Sequence, residues 1–162
     1  MTATPPPTDA EQLLRLEHQV CFALHNASRA FGAIYRDALK DLGLTYPQYL
    51  AMLALWEHGE LSVKRLGELL RLDSGTLSPL LKRLESAGLV RRERSAQDER
   101  SVLVSATAAG AALREQATQV PLEVAHRTGF AVEEMRELRG LLGRLTDRLD
   151  AAAGVPGAAQ EC

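Results

Sequence analysis

Cysteine is scarce in this sequence, whose 162 residues include only Cys21 and, as the final residue, Cys162. Two thiols so far apart exclude a disulfide framework of the kind that holds small secreted domains together. Aromatic residues make up only 4% of the chain, so we expect a core built from aliphatic side chains. No apolar run approaches the roughly 20 residues that a membrane-spanning helix needs. The four histidines have no metal-ligand spacing, and we expect no metal and no cofactor.

A strong charge of one sign is also lacking, because the formal net charge is −2. Charge is nevertheless uneven along the chain. The window 62–105 holds nine Lys and Arg residues against six Asp and Glu residues, and so carries +3. A basic centre between acidic flanks is a modest electrostatic indication of a nucleic-acid surface.

The ends of the sequence differ in composition from its middle. Residues 1–10 are rich in proline and are expected to be a disordered leader, and the small residues of 153–162 a flexible tail. The opening residues lack the pattern of a secretory signal, so we expect a cytoplasmic protein. Between the ends we expect one chain fold over residues 11–152.

Apolar spacing of three and four residues predicts a long first helix from Asp9 to about Leu42. A second helix follows, with Thr45 as N-cap, Pro47 in its first turn and Gly59 at its end. A short extended piece then leads into a helix from about Val63.

The segment "DSGTLSPLLKRLESAGL" predicts another helix, capped by Asp73 or Ser74 and ended at Gly88. The pattern then changes to two short strands around the polar turn "SAQDER", with Val102 and Val104 alternating. Two helices complete the order, the first of them kinked at Pro121.

Two short helices, a tight turn and a hairpin form a winged helix-turn-helix arrangement over about residues 45–106. The helix after the turn would enter the major groove of DNA by its N-terminus. Small or hydrogen-bonding residues stand at that end and basic residues follow, and the hairpin tip adds further arginines. Asp98 or Glu99 would hold Arg100 in a fixed pose. The candidate DNA-binding residues are Ser74, Gly75, Thr76, Ser78, Lys82, Arg83, Arg92, Arg94, Asp98 and Arg100. The alternative is that these are ordinary surface charges.

The stretch from "DSGTLSPLLKRLESAGL" through the wing "RRERSAQDERS" resembles the core of the MarR family of winged-helix regulators, and the resemblance extends over about residues 11–152. It implies a mainly α fold with a small β-hairpin wing. It also implies a homodimer held by the terminal helices, 11–42 and 107–152. Two recognition helices then imply a pseudo-palindromic operator of double-stranded DNA.

Within that family, "HQVCFALHNASRAF" and "TYPQYLAMLALWEH" resemble the OhrR-type regulators, which sense organic hydroperoxides through a cysteine in the first helix. The resemblance assigns the sensor to Cys21 and its supporting hydroxyl groups to Tyr35 and Tyr46. A thiolate is the nucleophile toward a peroxide, and phenolic O–H groups favour the charged form. Tyr35 follows Cys21 by 14 residues, roughly 21 Å along a straight helix, so any meeting of the two requires a second protomer.

Some relatives carry a second, resolving cysteine in a later helix, where this chain reads "PLEVAHRTGF" without one. Either Cys21 acts alone, which we favour, or the tail brings in Cys162 as a resolving thiol. Taken by itself, Cys21 could also be inert packing, because free cysteines are commonly buried.

The sequence therefore predicts a repressor, not an enzyme, that leaves its operator when organic hydroperoxide oxidises Cys21. One alternative is a MarR-type repressor released by a small phenolic ligand. A thiol peroxidase is the other, and the basic winged segment speaks against it. No membrane partner is expected.

Overall fold

The computed structural model describes residues 12–155, so the expected leader and all but the start of the expected tail lie outside it. A short 3₁₀ helix, Leu16–His18, precedes the main elements. In chain order these are α1 (Val20–Ala38), α2 (Tyr46–His58), β1 (Leu61–Ser62), α3 (Val63–Leu70), α4 (Ser74–Ser86), β2 (Val90–Arg94), β3 (Val102–Ala106), α5 (Ala108–Ala117), α6 (Gln119–Thr128) and α7 (Val132–Ala153). The mainly α fold with a small antiparallel sheet confirms the fold class expected from the sequence.

The first helix is shorter than its apolar spacing predicts. It begins at Val20 and ends at Ala38, because Gln19 is extended, with φ −84° and ψ 109°. The side chain of Gln19 turns back to the carbonyl oxygens of Leu13 and Arg15. A side-chain amide therefore satisfies backbone groups that a continuous helix would have satisfied, and the expectation of one helix from Asp9 to Leu42 is wrong.

The ends of α2 follow the capping residues in the sequence. The backbone N–H of Thr45 donates to the side-chain oxygen of Gln48 at 2.9 Å, which is half of a capping box. Pro47 lies in the first turn, where its missing N–H costs nothing. Gly59 ends the helix with φ +75°, a conformation that glycine adopts without steric cost.

Helices α3 and α4 form a helix-turn-helix pair that packs very closely. A Cβ atom placed on Gly67 would lie 3.0 Å from the carbonyl oxygen of Leu72 and 3.4 Å from Cδ2 of Leu77. Glycine fits this approach as it stands, whereas a Cβ would require its neighbours to shift by a few tenths of an ångström. Arg71 ends α3 with φ +54°, and Leu72 N–H donates to Gly67 O at 2.9 Å.

The wing is a three-stranded antiparallel sheet in the order β1-β3-β2. Val104 stands at its centre, opposite Leu61 of β1 and Arg92 of β2. The hairpin of β2 and β3 is the one that the sequence predicts, and β1 is the short extended piece before α3.

The core lies between the helix-turn-helix pair, α2 and the sheet. Its fully buried side chains are Leu39, Met52, Leu66, Leu77, Leu81, Leu84, Val90, Val104 and Val120. Burying each of these contributes about 1.5–3 kcal/mol by removing apolar surface from water. Trp56 ties α5 to this core by donating its indole N–H to Gly110 O at 2.9 Å.

The expected helix with a kink at Pro121 is instead two separate helices, α5 and α6. The chain breaks at Thr118, where α5 ends and α6 begins, and Pro121 lies in the first turn of α6. That turn has no intrahelical acceptors for its N–H groups, so proline fits it without a kink. None of the 22 residues of α7 is buried. Across residues 12–155 no helix is both long and apolar enough to cross a bilayer.

Candidate functional site

The N-terminal turn of α4 presents small polar residues to solvent. Ser74, Gly75, Thr76 and Ser78 are all exposed. Asp73 caps the helix by accepting the backbone N–H of Thr76 at 2.9 Å and its hydroxyl at 3.0 Å. These hydrogen bonds lower the pKa of Asp73 below its ordinary value. The free backbone groups of such a helix end can approach base edges and phosphates closely.

Basic side chains continue along the same helix. Lys82 and Arg83 are exposed one to two turns after Ser78. Gly75, Ser78 and Lys82 share one face, because residues three and four apart lie above one another on a helix. One exposed face of α4 therefore carries small residues at its tip and a cation behind them, as a major-groove helix requires.

The wing arginines fall into two groups. Arg92 is paired with Glu85 of α4, with Nη2–Oε2 at 2.6 Å and Nε–Oε2 at 3.0 Å. This ion pair lowers the pKa of the Glu85 carboxyl. Arg92 thus anchors the wing to α4, a role that its sequence position alone did not suggest. Arg94, on the same face of β2 by strand alternation, is exposed.

At the tip of the wing, Asp98 shapes the turn. Its carboxylate accepts the backbone N–H of Arg100 at 3.0 Å, and its carbonyl accepts the N–H of Ser101 at 2.8 Å. The expected side-chain pair between Arg100 and Asp98 or Glu99 is absent among the described residues. The Asp98 carboxylate bonds to the backbone N–H of Arg100 and not to its guanidinium, because the backbone hydrogen bond immobilises fewer rotatable bonds.

A cleft of about 390 Å³ separates the wing from the helix-turn-helix pair. Lys64 and Ser78 line one side, and Arg92, Asp98 and Arg100 line the other. Lys64, an exposed residue in the first turn of α3, was not among the candidates. Its signal in the sequence was the basic window that also contains the recognition helix.

Cys21 is the second residue of α1, and its side chain is exposed. Core packing within the protomer is therefore not its role. The first turn of a helix has backbone N–H groups without intrahelical partners, and these face a negative charge favourably. Tyr35 lies on the same uninterrupted helix, which keeps the two side chains about 21 Å apart in one chain.

The predicted tyrosines do meet each other. The ring centroids of Tyr35 and Tyr46 are 4.5 Å apart, and those of Tyr35 and Tyr49 are 6.2 Å apart. Partial burial raises the pKa of all three phenols above the ordinary value of 10.0. Each therefore keeps its O–H proton at neutral pH and can donate it. Tyr49 was missed, although it lies three residues after Tyr46 on one helix face.

A cleft of about 860 Å³ opens beside this pair of tyrosines. Its wall on α1 consists of Ser28, Phe31, Gly32 and Tyr35, with Tyr46 from α2. The opposite wall comes from α6 and α7 and consists of Pro121, Val124, Ala125, Val132, Met135, Arg136 and Arg139. The cleft is thus mainly apolar, with two tyrosines on one side and two arginines on the other.

Cys162 lies outside the described residues. Within the described residues, His, Cys, Asp and Glu side chains form no group of three that could hold a metal ion.

A capped recognition helix beside a basic wing, on a mainly helical chain, defines a winged helix-turn-helix DNA-binding protein. The family model of the transcriptional regulator SarA/Rot matches residues 33–116.

Relatives agree with that class. The organic hydroperoxide resistance transcriptional regulator of Bacillus subtilis is 47% identical over 136 residues, which cover 84% of this chain and 92% of the relative. The regulator TtmR of Methylorubrum extorquens is 48% identical over 139 residues, covering 86% and 71%. The structure of reduced AbfR bound to DNA, a protein of Staphylococcus epidermidis, superposes with a TM-score of 0.72 at 34% identity, covering 86% and 98%. The chain belongs to the MarR-like family of winged-helix transcriptional regulators, in its OhrR-type branch.

Proposed function

We propose that this chain is a dimeric repressor that leaves its DNA operator when an organic hydroperoxide oxidises Cys21. The observation that carries the proposal is that α1 holds an exposed thiol, Cys21, and, about 21 Å further along the same helix, Tyr35, which is clustered with Tyr46 of α2. A second copy of the chain supplies the missing contact.

Simple geometry supports a sensor shared between two protomers. Cys21, Ser28 and Tyr35 are seven residues apart and so fall on one face of α1. If two α1 helices cross antiparallel about a twofold axis at Ser28, Cys21 of each copy comes opposite the partner's Tyr35. Ser28 and Gly32 at the centre are small enough for the helices to approach closely.

Exposed apolar residues support the same dimer. The flanks of the chain leave large hydrophobic side chains in solvent that a single protomer does not cover: Leu13, Leu14, Leu16, Val20, Leu122, Phe130, Val132, Leu138, Leu141 and Leu149. Exposed apolar side chains in such number are typical of segments that another protein surface covers. A dimer through these segments also sets two recognition helices side by side for a pseudo-palindromic operator.

The chemistry at the thiol follows from these groups. The Cys21 thiolate attacks one peroxide oxygen, an S–O bond forms, and the O–O bond breaks. Sulfur is oxidised by two electrons to sulfenic acid, and the peroxide is reduced to an alkoxide that takes up a proton and leaves as alcohol. The partner's Tyr35 and Tyr46 hydroxyl groups hold the thiolate by hydrogen bonds before the attack. Loss of these bonds on oxidation reshapes the dimer.

On the DNA side, the major-groove contacts come from exposed residues of α4, namely Ser74, Gly75, Thr76, Ser78, Lys82 and Arg83. The wing contacts come from Arg94 and Arg100. Arg92 and Asp98 support the wing, Arg92 through Glu85 and Asp98 through the turn.

The test uses a DNA duplex selected from a random-sequence pool by the reduced wild-type protein. Binding is measured at fixed salt before and after one equivalent of cumene hydroperoxide, for wild type, Cys21→Ser and Cys162→Ser. The salt is fixed because affinity depends steeply on it. We expect release of wild type and of Cys162→Ser, and retention of Cys21→Ser.

Each other outcome has a definite meaning. Retention of Cys162→Ser alongside Cys21→Ser makes Cys162 the resolving thiol. Release of Cys21→Ser, or retention of wild type, refutes sensing at Cys21 and directs attention to a small phenolic ligand in the 860 Å³ cleft.

A further inference from the structure

Arg71 and Asp150 form an ion pair between the helix-turn-helix pair and the last helix, α7. Arg71 ends α3 in the turn before the recognition helix α4, and Asp150 lies near the end of α7. Their contact is bidentate, with Nη1–Oδ1 at 3.0 Å and Nη2–Oδ2 at 2.5 Å. The Asp150 side chain is only 14% exposed. Two parallel hydrogen bonds fix orientation as well as distance.

The backbone at Arg71 is unusual. It is the one residue other than glycine with a left-handed backbone among residues 12–155. Glycine adopts this conformation without the steric cost that a Cβ brings. An arginine there pays that cost and gains a guanidinium directed at α7.

Arg71 lies in a turn that is held tightly between α3 and α4. At Gly67 the backbone of α3 lies close to the turn and to Leu77 of α4. Leu72 is bonded to Gly67 across the turn, and Asp73 caps α4. These contacts tie the position of Arg71 to that of the recognition helix.

Helix α7 reaches the tyrosine cleft at its other end. Val132 and Met135 line that cleft, and Met135 is about 22 Å from Asp150 along the helix axis. No residue of α7 is fully buried in the protomer, and its C-terminal half is only partly covered, at Leu142, Gly143, Leu145, Thr146 and Asp150. In that half, Asp150 makes the ion pair with Arg71. Helix α7 thus connects the tyrosine cleft to the helix-turn-helix pair through the Arg71–Asp150 ion pair.

We propose that the Arg71–Asp150 ion pair is a positioning contact that sets the orientation of the recognition helix on α7. It thereby sets the operator affinity of the reduced protein and transmits the change that follows oxidation. The transmitting role rests on the proposed function. The positioning role holds for any DNA-bound state of the dimer.

The first experiment needs no oxidant. Wild type, Asp150→Asn, Arg71→Gly and the swap Arg71→Asp with Asp150→Arg are compared on the selected duplex and on one with a single base pair added between the half-sites. Asp147→Asn is the matched control for charge alone: Asp147 lies one turn earlier on α7 and acts on Arg71 through its charge, without a hydrogen bond to it. Arg71→Gly removes the guanidinium while suiting the left-handed backbone, so its melting temperature separates folding from positioning.

We expect both single variants to bind the selected duplex roughly two- to thirtyfold more weakly, the range typical of coupling contacts. They should also lose much of the wild-type preference for the original half-site spacing. A recognition helix that is no longer held by α7 can adjust to either of the two duplexes. The swap should restore affinity and preference, and Asp147→Asn should match wild type. A contact that only added stability would leave the spacing preference unchanged.

Two results would overturn the proposal. One is wild-type affinity and spacing preference in both single variants. The other is weaker binding by Arg71→Gly alone, without an effect of Asp150→Asn, which would make Arg71 a phosphate contact.

The oxidation arm is scored separately. With Cys21 oxidised to the same extent by mass spectrometry, the ratio of reduced to oxidised affinity should be smaller in Asp150→Asn than in wild type. An equal ratio overturns the transmitting role. If wild type itself does not respond to oxidation, the sensor function and the transmitting role fail together, and the reduced-state comparison still decides the positioning role.

Discussion

The rings of Tyr35 and Tyr46 lie with their centroids 4.5 Å apart, so the end of α1 and the start of α2 present two phenols to one cleft. A phenol is protonated at neutral pH, because its pKa is about 10, and burial raises the pKa of both tyrosines further. Two protonated phenols side by side form a donor pair suited to an anion. The anion that the proposed dimer brings to them is the partner's Cys21 thiolate.

Removing either hydroxyl group should slow the oxidation of Cys21. Tyr35→Phe and Tyr46→Phe keep the rings but lose a hydrogen bond to a charged group. Because such bonds contribute about 1.5–3 kcal/mol, the rate should fall about tenfold or more. The measurement is the loss of free thiol with cumene hydroperoxide, followed by mass spectrometry. Tyr49→Phe is the control, since Tyr49 is 3% exposed in the core. An unchanged rate in both variants would contradict the assigned role.

Alkaline pH should destabilise the fold through the same cluster. The folded-state pKa values of Tyr35, Tyr46 and Tyr49 are raised above 10.0. The stability that depends on their neutral forms is thus fully present below pH 10.0 and is lost as pH rises through the raised values. Thermal melting followed together with tyrosinate absorbance checks this. A melting temperature that is flat through that range would argue against buried phenols.

Wing arginines should differ in the salt dependence of DNA binding. Arg94→Ala and Arg100→Ala each remove one proposed phosphate contact per protomer, hence two per dimer, so each should make the negative slope of log K against log salt less steep by about 1.8. Arg91 lies on the other face of β2 and pairs with Ser105 at 3.0 Å, so Arg91→Ala should leave the slope as in wild type. A wild-type slope in all three variants would contradict the assigned phosphate contacts of the wing.

Stability should depend sharply on Gly110. A Cβ there would overlap the carbonyl oxygen of Leu89 and lie 3.2 Å from Cε of Met52. Gly110→Ala should therefore lower the free energy of unfolding by about 1–3 kcal/mol or more, as overpacking does. Chemical denaturation measures this. Ala111→Ser, at the next, exposed position, should stay within about 0.5 kcal/mol of wild type.

Features that depend on neighbouring residues could be predicted from the sequence. Thr45 and Asp73 begin their helices, and Gly59 and Gly88 follow the ends of theirs, each with a positive φ at the glycine. Strand alternation predicted the wing. The resemblance to MarR-type regulators, confirmed by the relatives, added the class of function.

Features that depend on distant residues could not be predicted. The start of α1 is set by the side chain of Gln19 folding back on the backbone, which apolar spacing does not encode. The pairs of Arg92 with Glu85 and of Arg71 with Asp150 arise only when separate elements pack. The role of Cys21 and its tyrosines stays a prediction, and so do the domain limits.

The incomplete burial of α7 within one protomer has a consequence for the amount of protein in a cell. A helix of 22 residues without a fully buried side chain gains the rest of its burial only in the proposed dimer. Association and folding are then linked by mass action, and the stability of each protomer rises with its concentration. A scarce copy would be open to proteolysis, and an abundant one protected. Expression level would thus set the lifetime of the regulator as well as its occupancy of DNA.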